Sequence, residues 1–242
     1  MRSPALVLAL ESATAALSVA LLRGEDLVEE VLAPAGPAAK TLLPAVDCLL
    51  NRAGVALGEV EAFAISIGPG SFTSLRVGIA TVKGLAFESD CPIAPVSTLA
   101  ALALAAGPTD RLVVPMIDAR RGEIYAAAYE GSSGREAVLP EGVYTPEALC
   151  ARIRPPCLLV GEGATLCGEA IAAALGEGVA VLLPPEGNAL ARHVGALGAE
   201  QLARGSWVSA AQLVPHYLRR AEAEVKRTGE RFEPAPGPAR ST

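Results

Sequence analysis

Aromatic residues and basic clusters are scarce in this chain. Phe, Trp and Tyr make up 4% of the 242 residues, whereas 51% are hydrophobic, so small aliphatic side chains must fill the interior. Asp and Glu outnumber Lys and Arg, the formal net charge is −6, and no run of basic residues is longer than a pair. The chain therefore lacks a self-sufficient basic surface for nucleic acid, and any contact with RNA would need a basic partner.

Residues that bind metals or form disulfides are also few. His193 and His216 are the only histidines and lie far apart in the sequence, which nearly excludes a histidine-based metal site. The five cysteines are odd in number and form no C-x-x-C pair. We therefore expect reduced thiols, a cytoplasmic location and no metal site.

Long hydrophobic runs are absent as well. The longest helical candidate, LAALALAA at 99–106, is far shorter than the ~18 apolar residues of a membrane-spanning helix. The N-terminal stretch MRSPALVLALESATA is similar to a signal peptide, but Glu11 interrupts its apolar run. We expect a soluble protein with no membrane contact, whose first apolar run is a buried strand.

One pattern of strand, acid, turn and strand occurs twice. LVLALESATAALSVALLRG (6–24) and RLVVPMIDARRGEIYAAAYEG (111–131) both place an acid at the end of an apolar strand. The spacing from Glu11 to the closing glycine equals the spacing from Asp118 to its own. Coincidence between two ordinary hairpins is the alternative. The repetition favours an α/β protein with a duplicated actin-like (ribonuclease-H-like) fold in two lobes.

The two lobes are predicted to span residues 1–104 and 105–225. AKTLLPAVDCLLNRAG predicts an amphipathic helix, VEAFAISIG a strand, and TPEALCARI a helix that begins at a Thr145 cap. PCLLVGEGA predicts another short buried strand. The last helix of the second lobe could pack back on the first. Residues 226–242 are rich in proline and charge and predict a disordered tail.

Glu11, Ser12 and Thr14 are the candidate nucleotide-binding residues. The turn in ALESAT brings a carboxylate, two hydroxyls and backbone N–H groups together, a set that could receive phosphate oxygens and hold magnesium through water. The alternative is that the hydroxyls satisfy the turn and Glu11 is solvated. No residue is predicted to be catalytic, because a nucleophile motif with a histidine base and a cluster of carboxylates are both missing.

The stretch SIGPGSFTSLRVGIATVKGLAF (66–87) predicts a strand, a glycine-rich turn and a helix. It matches neither common phosphate-binding glycine motif. Gly78 and Gly84 lie inside the predicted helix, where each costs roughly 1 kcal/mol relative to alanine, so a close contact should offset that cost. One helix face could pack on the chain's own sheet or form a subunit interface; its residues are Leu75, Gly78, Ile79 and Val82.

Several motifs resemble the TsaB (YeaZ) family, in order, across roughly residues 5–225. They are LALESATAALSVAL, GPGSFTSLRVGIATVKGLAF, PVSTLAALA, IDARRGEIYAA and LVPHYLRRAEAE. The long central motif is very specific. The resemblance implies the same two-lobed, actin-like fold as the repeated hairpins.

The resemblance also implies a function. TsaB proteins are non-catalytic subunits in the formation of N6-threonylcarbamoyladenosine at position 37 of tRNAs that read codons beginning with A. They form a heterodimer with the catalytic subunit TsaD, help to recruit the ATPase TsaE, and form homodimers. We therefore expect tRNA contact only through the complex, ATP used by the complex and no cofactor of this chain's own. An independent actin-fold ATPase or phosphotransferase is the alternative.

Some positions depart from related patterns. The catalytic relative carries a metal-binding H-x-x-x-H after its equivalent helix, where this chain has Thr98 and Leu102. Glu11 stands where the family usually has aspartate, and PAAKTLLP lacks a histidine that the family often has before LLP. The glycine-rich helix contributes to a helical interface in the family. The resemblance thus assigns a partner interface to Phe72, Leu75, Arg76, Gly78, Ile79 and Val82.

Overall fold

The computed structural model describes residues 5–87, 89–131, 134–182 and 189–219. The predicted tail at 226–242 lies outside them. Both lobes contain a five-stranded sheet with helices. The first comprises β1 (Leu6–Glu11), β2 (Ser18–Arg23), β3 (Asp26–Leu32), α1 (Ala38–Ala53), β4 (Ala62–Gly68), α2 (Phe72–Leu85), β5 (Ile93–Ser97) and α3 (Thr98–Ala105). The second comprises β6 (Leu112–Asp118), β7 (Ile124–Glu130), β8 (Ala137–Tyr144), α4 (Pro146–Cys150), β9 (Cys157–Val160), α5 (Glu162–Leu175) and β10 (Val179–Leu182). α6 (Ala191–Ala203) follows the second sheet in the chain and packs back on the first sheet.

The two sheets have the same topology. The first has the order β3-β2-β1-β4-β5, and the second has the matching order β8-β7-β6-β9-β10. In both, each of the first three strands is antiparallel to the next, and the last two strands run parallel to the first. The predicted α/β, actin-like duplicated fold is confirmed. The hairpin loops differ in length, 12–17 against 119–123, so the repeats do not align residue by residue.

The local sequence signals account for several elements. α1 and β4 form where the apolar patterns predict them, and the Thr145 hydroxyl accepts a hydrogen bond from the N–H of Ala148 to cap α4. The first apolar run is the buried strand β1. All five cysteines are unpaired. Within the described ranges, no helix is both long enough and apolar enough to cross a membrane.

Helices cover both faces of the sheets. α1 and α2 cover one face of the first sheet, and α4 and α5 cover the outer face of the second. α3 and α6 lie between the lobes in a core that both sheets share. Alanines line the face of the first sheet that α6 covers, which explains how the chain packs with so few aromatic rings; they are Ala9, Ala20, Ala64 and Ala94.

Two glycines let α6 lie close to that alanine face. A Cβ atom at Gly198 would overlap the Cβ of Ala64, and one at Gly195 would overlap the side chain of Leu22. Ala64 sits on a central strand and cannot move aside without moving the sheet. The helix therefore tolerates two glycines in its interior because larger residues do not fit.

Gly198→Ala should lower the free energy of unfolding by about 1–2 kcal/mol, because the overlap with Ala64 outweighs the better helix propensity of alanine. Gly84→Ala is the matched control, since nothing lies within 4 Å of the added Cβ, and should raise stability by about 1 kcal/mol. Chemical denaturation of both variants measures the difference. Equal shifts in the two would contradict the close packing of α6.

Candidate functional site: the cleft between the lobes

A cleft of about 530 Å³ lies between the two lobes. Its walls come from the β1–β2 turn, the start of α2, the β6–β7 hairpin and the first turn of α5. The sheet topology places these segments together, because they follow the ends of equivalent strands in the two repeats. The polar lining includes Ser12, Thr14, Ser74, Asp118, Arg120 and Glu162.

Glu11 does not line this cleft. Its side chain is fully buried, and Oε1 accepts hydrogen bonds from the N–H groups of Ala13 (2.6 Å) and Thr14 (2.9 Å). Oε2 accepts a hydrogen bond from the Thr14 hydroxyl at 2.9 Å. The hypothesis that Glu11 is a solvated edge residue is therefore wrong. The carboxylate holds the β1–β2 turn together from inside.

Ser12 is also bound internally. It is buried, and its hydroxyl donates to the carbonyl oxygen of Ser74 at 3.1 Å. A Cβ at Gly78 would overlap the Ser12 Oγ, so only glycine lets α2 lie this close to the turn. The N–H of Ser71 adds a 2.8 Å hydrogen bond to the carbonyl of Ala13. The close contact expected at Gly78 is thus made within the chain.

The charges around the cleft are mainly acidic. Arg120 pairs with Asp118 at 2.9 Å, as an ordinary surface pair. Burial raises the pKa of Glu162, and the neighbouring Asp118 raises it further. Nowhere in the described ranges do three or more His, Cys, Asp or Glu side chains form a group that could hold a metal. Of the three residues predicted to bind nucleotide, Glu11 and Ser12 have no free side-chain group for a magnesium nucleotide, and Thr14 already donates to Glu11.

The predicted interface residues on α2 divide into two groups. Leu75, Gly78, Ile79 and Val82 are buried against the chain's own sheet and turn, which corrects their assignment to a partner-facing surface. The exposed side of α2 carries Thr73, Arg76, Ala80 and Gly84 instead. The periodicity identified a real helix face but could not say what that face contacts.

Phe72 and Arg76 do reach the surface, together with a residue that the sequence did not single out. The rings of Phe72 and Tyr217 stack with centroids 4.9 Å apart. The Arg76 guanidinium lies 3.9 Å from the centroid of the Phe72 ring and donates from Nε to the Tyr217 hydroxyl at 2.9 Å. Tyr217 belongs to the motif LVPHYLRR. Its place in a motif shared with the family was the sequence signal that could have identified it.

Glu11→Gln should remove a pH dependence of stability. Burial raises the pKa of Glu11 from 4.5 to about 7, although hydrogen bonds from Thr14 and Ala13 oppose the rise. The folded state thus retains a proton that the unfolded chain releases, and stability falls as pH rises from 4.5 through 7. The amide stays neutral, so the variant should lack this loss, which amounts to about 3 kcal/mol. Urea denaturation at several pH values measures it, with the exposed Glu169→Gln as control. Parallel pH profiles for Glu11→Gln and the unmodified chain would contradict the buried acid.

Comparisons with known proteins agree with this architecture. A family model described as TsaD, tRNA N6-adenosine threonylcarbamoyltransferase, matches residues 37–227. A Bacillus subtilis protein named tRNA threonylcarbamoyladenosine biosynthesis protein TsaB is 33% identical over 226 residues, which cover 91% of this chain and 96% of that protein. The Escherichia coli protein of the same name is 32% identical and covers 93% of this chain and 99% of its own length.

A solved structure shows the same fold. YeaZ from Pseudomonas aeruginosa superposes with a TM-score of 0.75 at 34% identity, and the match covers 88% of this chain and 100% of that one. Identity at this level over nearly complete chains indicates membership of the same family and not only a shared fold. The chain belongs to the TsaB (YeaZ) family.

Proposed function

We propose that this chain is a non-catalytic subunit of the complex that forms N6-threonylcarbamoyladenosine at position 37 of tRNAs reading codons that begin with A. It pairs with a TsaD-type catalytic subunit and helps to recruit a TsaE-type ATPase. Two relatives that match over nearly their whole length are named for the synthesis of this nucleoside. ATP is used by the complex, and this chain carries no cofactor of its own.

One observation carries the non-catalytic assignment. In the resemblance, the H-x-x-x-H of the catalytic relative falls on Thr98 and Leu102, the first of which begins α3. Thr98 is fully buried, and its hydroxyl has no hydrogen-bond partner among the described residues. Leu102 packs against the core between the lobes. Neither side chain can hold a metal in the way that a histidine pair does, so catalysis is assigned to the partner.

The polar groups at the cleft also support a non-catalytic role for this chain. An independent ATPase would need free carboxylate and hydroxyl groups for a magnesium nucleotide. Here the Glu11 carboxylate accepts hydrogen bonds within the β1–β2 turn, and the Ser12 hydroxyl donates to the main chain of α2. Turnover of ATP by the isolated chain is therefore not expected.

The exposed side of α2 is the proposed partner surface. Ala80 and Gly84 are small, so another helix can approach closely there. Leu43, an apolar side chain on the neighbouring α1, is 54% exposed. The same surface serves a homodimer, which then competes with the heterodimer. The net charge of −6 agrees with contact to tRNA only through the complex.

Ala80→Glu should weaken binding to a TsaD-type catalytic subunit by about tenfold or more, because it places an unpaired charge in a close helix contact. Ala173→Glu on α5 is the matched control, since both alanines are exposed on helices and both variants should fold. Isothermal titration with the purified catalytic subunit measures the two affinities. Equal affinities would remove the exposed side of α2 from the interface.

A further inference from the structure

Residues 206–219 follow α6 and form a segment, here called the C-terminal strap, that contacts both lobes. On the first lobe it makes main-chain and apolar contacts, and Tyr217 adds the ring stack on Phe72 and the hydrogen bond from Arg76. Val208 and Ile93 exchange two backbone hydrogen bonds (2.9 and 3.0 Å) at the edge strand β5. Leu213 is buried in the first lobe's core, and the N–H of His216 donates to the carbonyl of Ile67 at 2.8 Å.

On the second lobe the strap's contacts use charged side chains. His216 Nε2 lies 3.4 Å from Glu141 Oε2 on β8. Arg219 donates to the carbonyl of Ala119 at 2.7 Å and pairs with Glu123 at the β6–β7 hairpin. The strap is thus fixed to the first lobe by main-chain, apolar and ring contacts and to the second by ion pairs.

Glu141 connects three parts of the molecule. Besides His216, its carboxylate accepts a hydrogen bond from the Ser97 hydroxyl, which also caps α3. Its Oε1 lies 3.5 Å from the Tyr129 hydroxyl on β7. Burial and the Glu141 charge both raise the pKa of Tyr129, so this phenol stays neutral. Glu141 is therefore the charge that faces His216, and His216 is the group of this cluster whose ordinary pKa lies closest to neutral.

We propose that the strap is a latch between the lobes, closed while His216 carries a proton and loosened when that proton is lost. A neutral imidazole offers no opposite charge to Glu141, which keeps its hydrogen bond from Ser97. Of the two ion pairs described above, the one between Arg219 and Glu123 then remains. Tyr217 lies between these two contacts and stacks on Phe72 beside the cleft, so loosening reaches the start of α2.

The direction of the pH effect follows from the ion pair. The hydrogen bond to Glu141 raises the pKa of His216 above its usual value, although burial opposes the rise. The contact therefore stabilises the strap fully below about pH 6.5 and is lost as pH rises through the raised pKa. The latch needs no partner, so it does not depend on the proposed function.

Amide hydrogen exchange of the full-length chain tests the latch. At about pH 6 and pH 8.5, the intrinsic exchange rate of each amide is divided by its observed rate to give a protection factor. Amides at 213–219 should lose protection by about two- to fivefold at the higher pH, the range expected for a partly exposed ion pair. Amides of β1 report how global stability changes with pH, including the change caused by the titration of Glu11. Their change in protection is subtracted from that of the strap.

Variants at both ends of the contact make the test specific. His216→Gln and Glu141→Gln should show low strap protection that does not change with pH. His193→Gln should behave like the unmodified chain, because burial lowers the pKa of His193 to about 4 and it does not titrate in this range. A pH-dependent loss that persists in His216→Gln, or its absence from the unmodified chain, would overturn the latch.

Discussion

Close contact between small residues is the constraint on which the rest of this structure depends. α6 approaches the first sheet through Gly195 and Gly198, and α2 approaches the β1–β2 turn through Gly78. At these distances no larger side chain fits, and the facing strands carry alanines. An aromatic content of only 4% agrees with this mode of packing.

This packing also decides what the polar turn can do. Because α2 lies directly on the turn, Ser12 is enclosed and bonded to the carbonyl of Ser74, and Glu11 is buried beneath with both oxygens occupied. In the duplicated fold this turn opens onto the interlobe cleft, yet its groups hold the chain together. The other side of α2, where Ala80 and Gly84 are exposed, is the partner surface that we propose.

The fold could be predicted from the sequence because strand alternation, caps and the repeated acid are local signals. The site could be predicted only in part. The spacing of Leu75, Gly78 and Ile79 identifies a helix face, but the same spacing serves a sheet and a partner equally well. An acid at the end of a strand looks solvated until the backbone N–H groups that surround Glu11 are in place. The contact between His216 and Glu141 joins segments far apart in the sequence, so no local pattern predicts it.

The most direct measurement is a reconstitution of tRNA modification with a purified TsaD-type catalytic subunit, the TsaE-type ATPase, the enzyme that makes the threonylcarbamoyl donor, ATP, bicarbonate, threonine and tRNA. Modified adenosine is scored with and without this chain, and ATP turnover is scored for the chain alone. We expect modification only when the chain is present and no ATP turnover by the chain alone. Undiminished modification without it, or ATP turnover by the isolated chain, would contradict the assignment as a non-catalytic subunit.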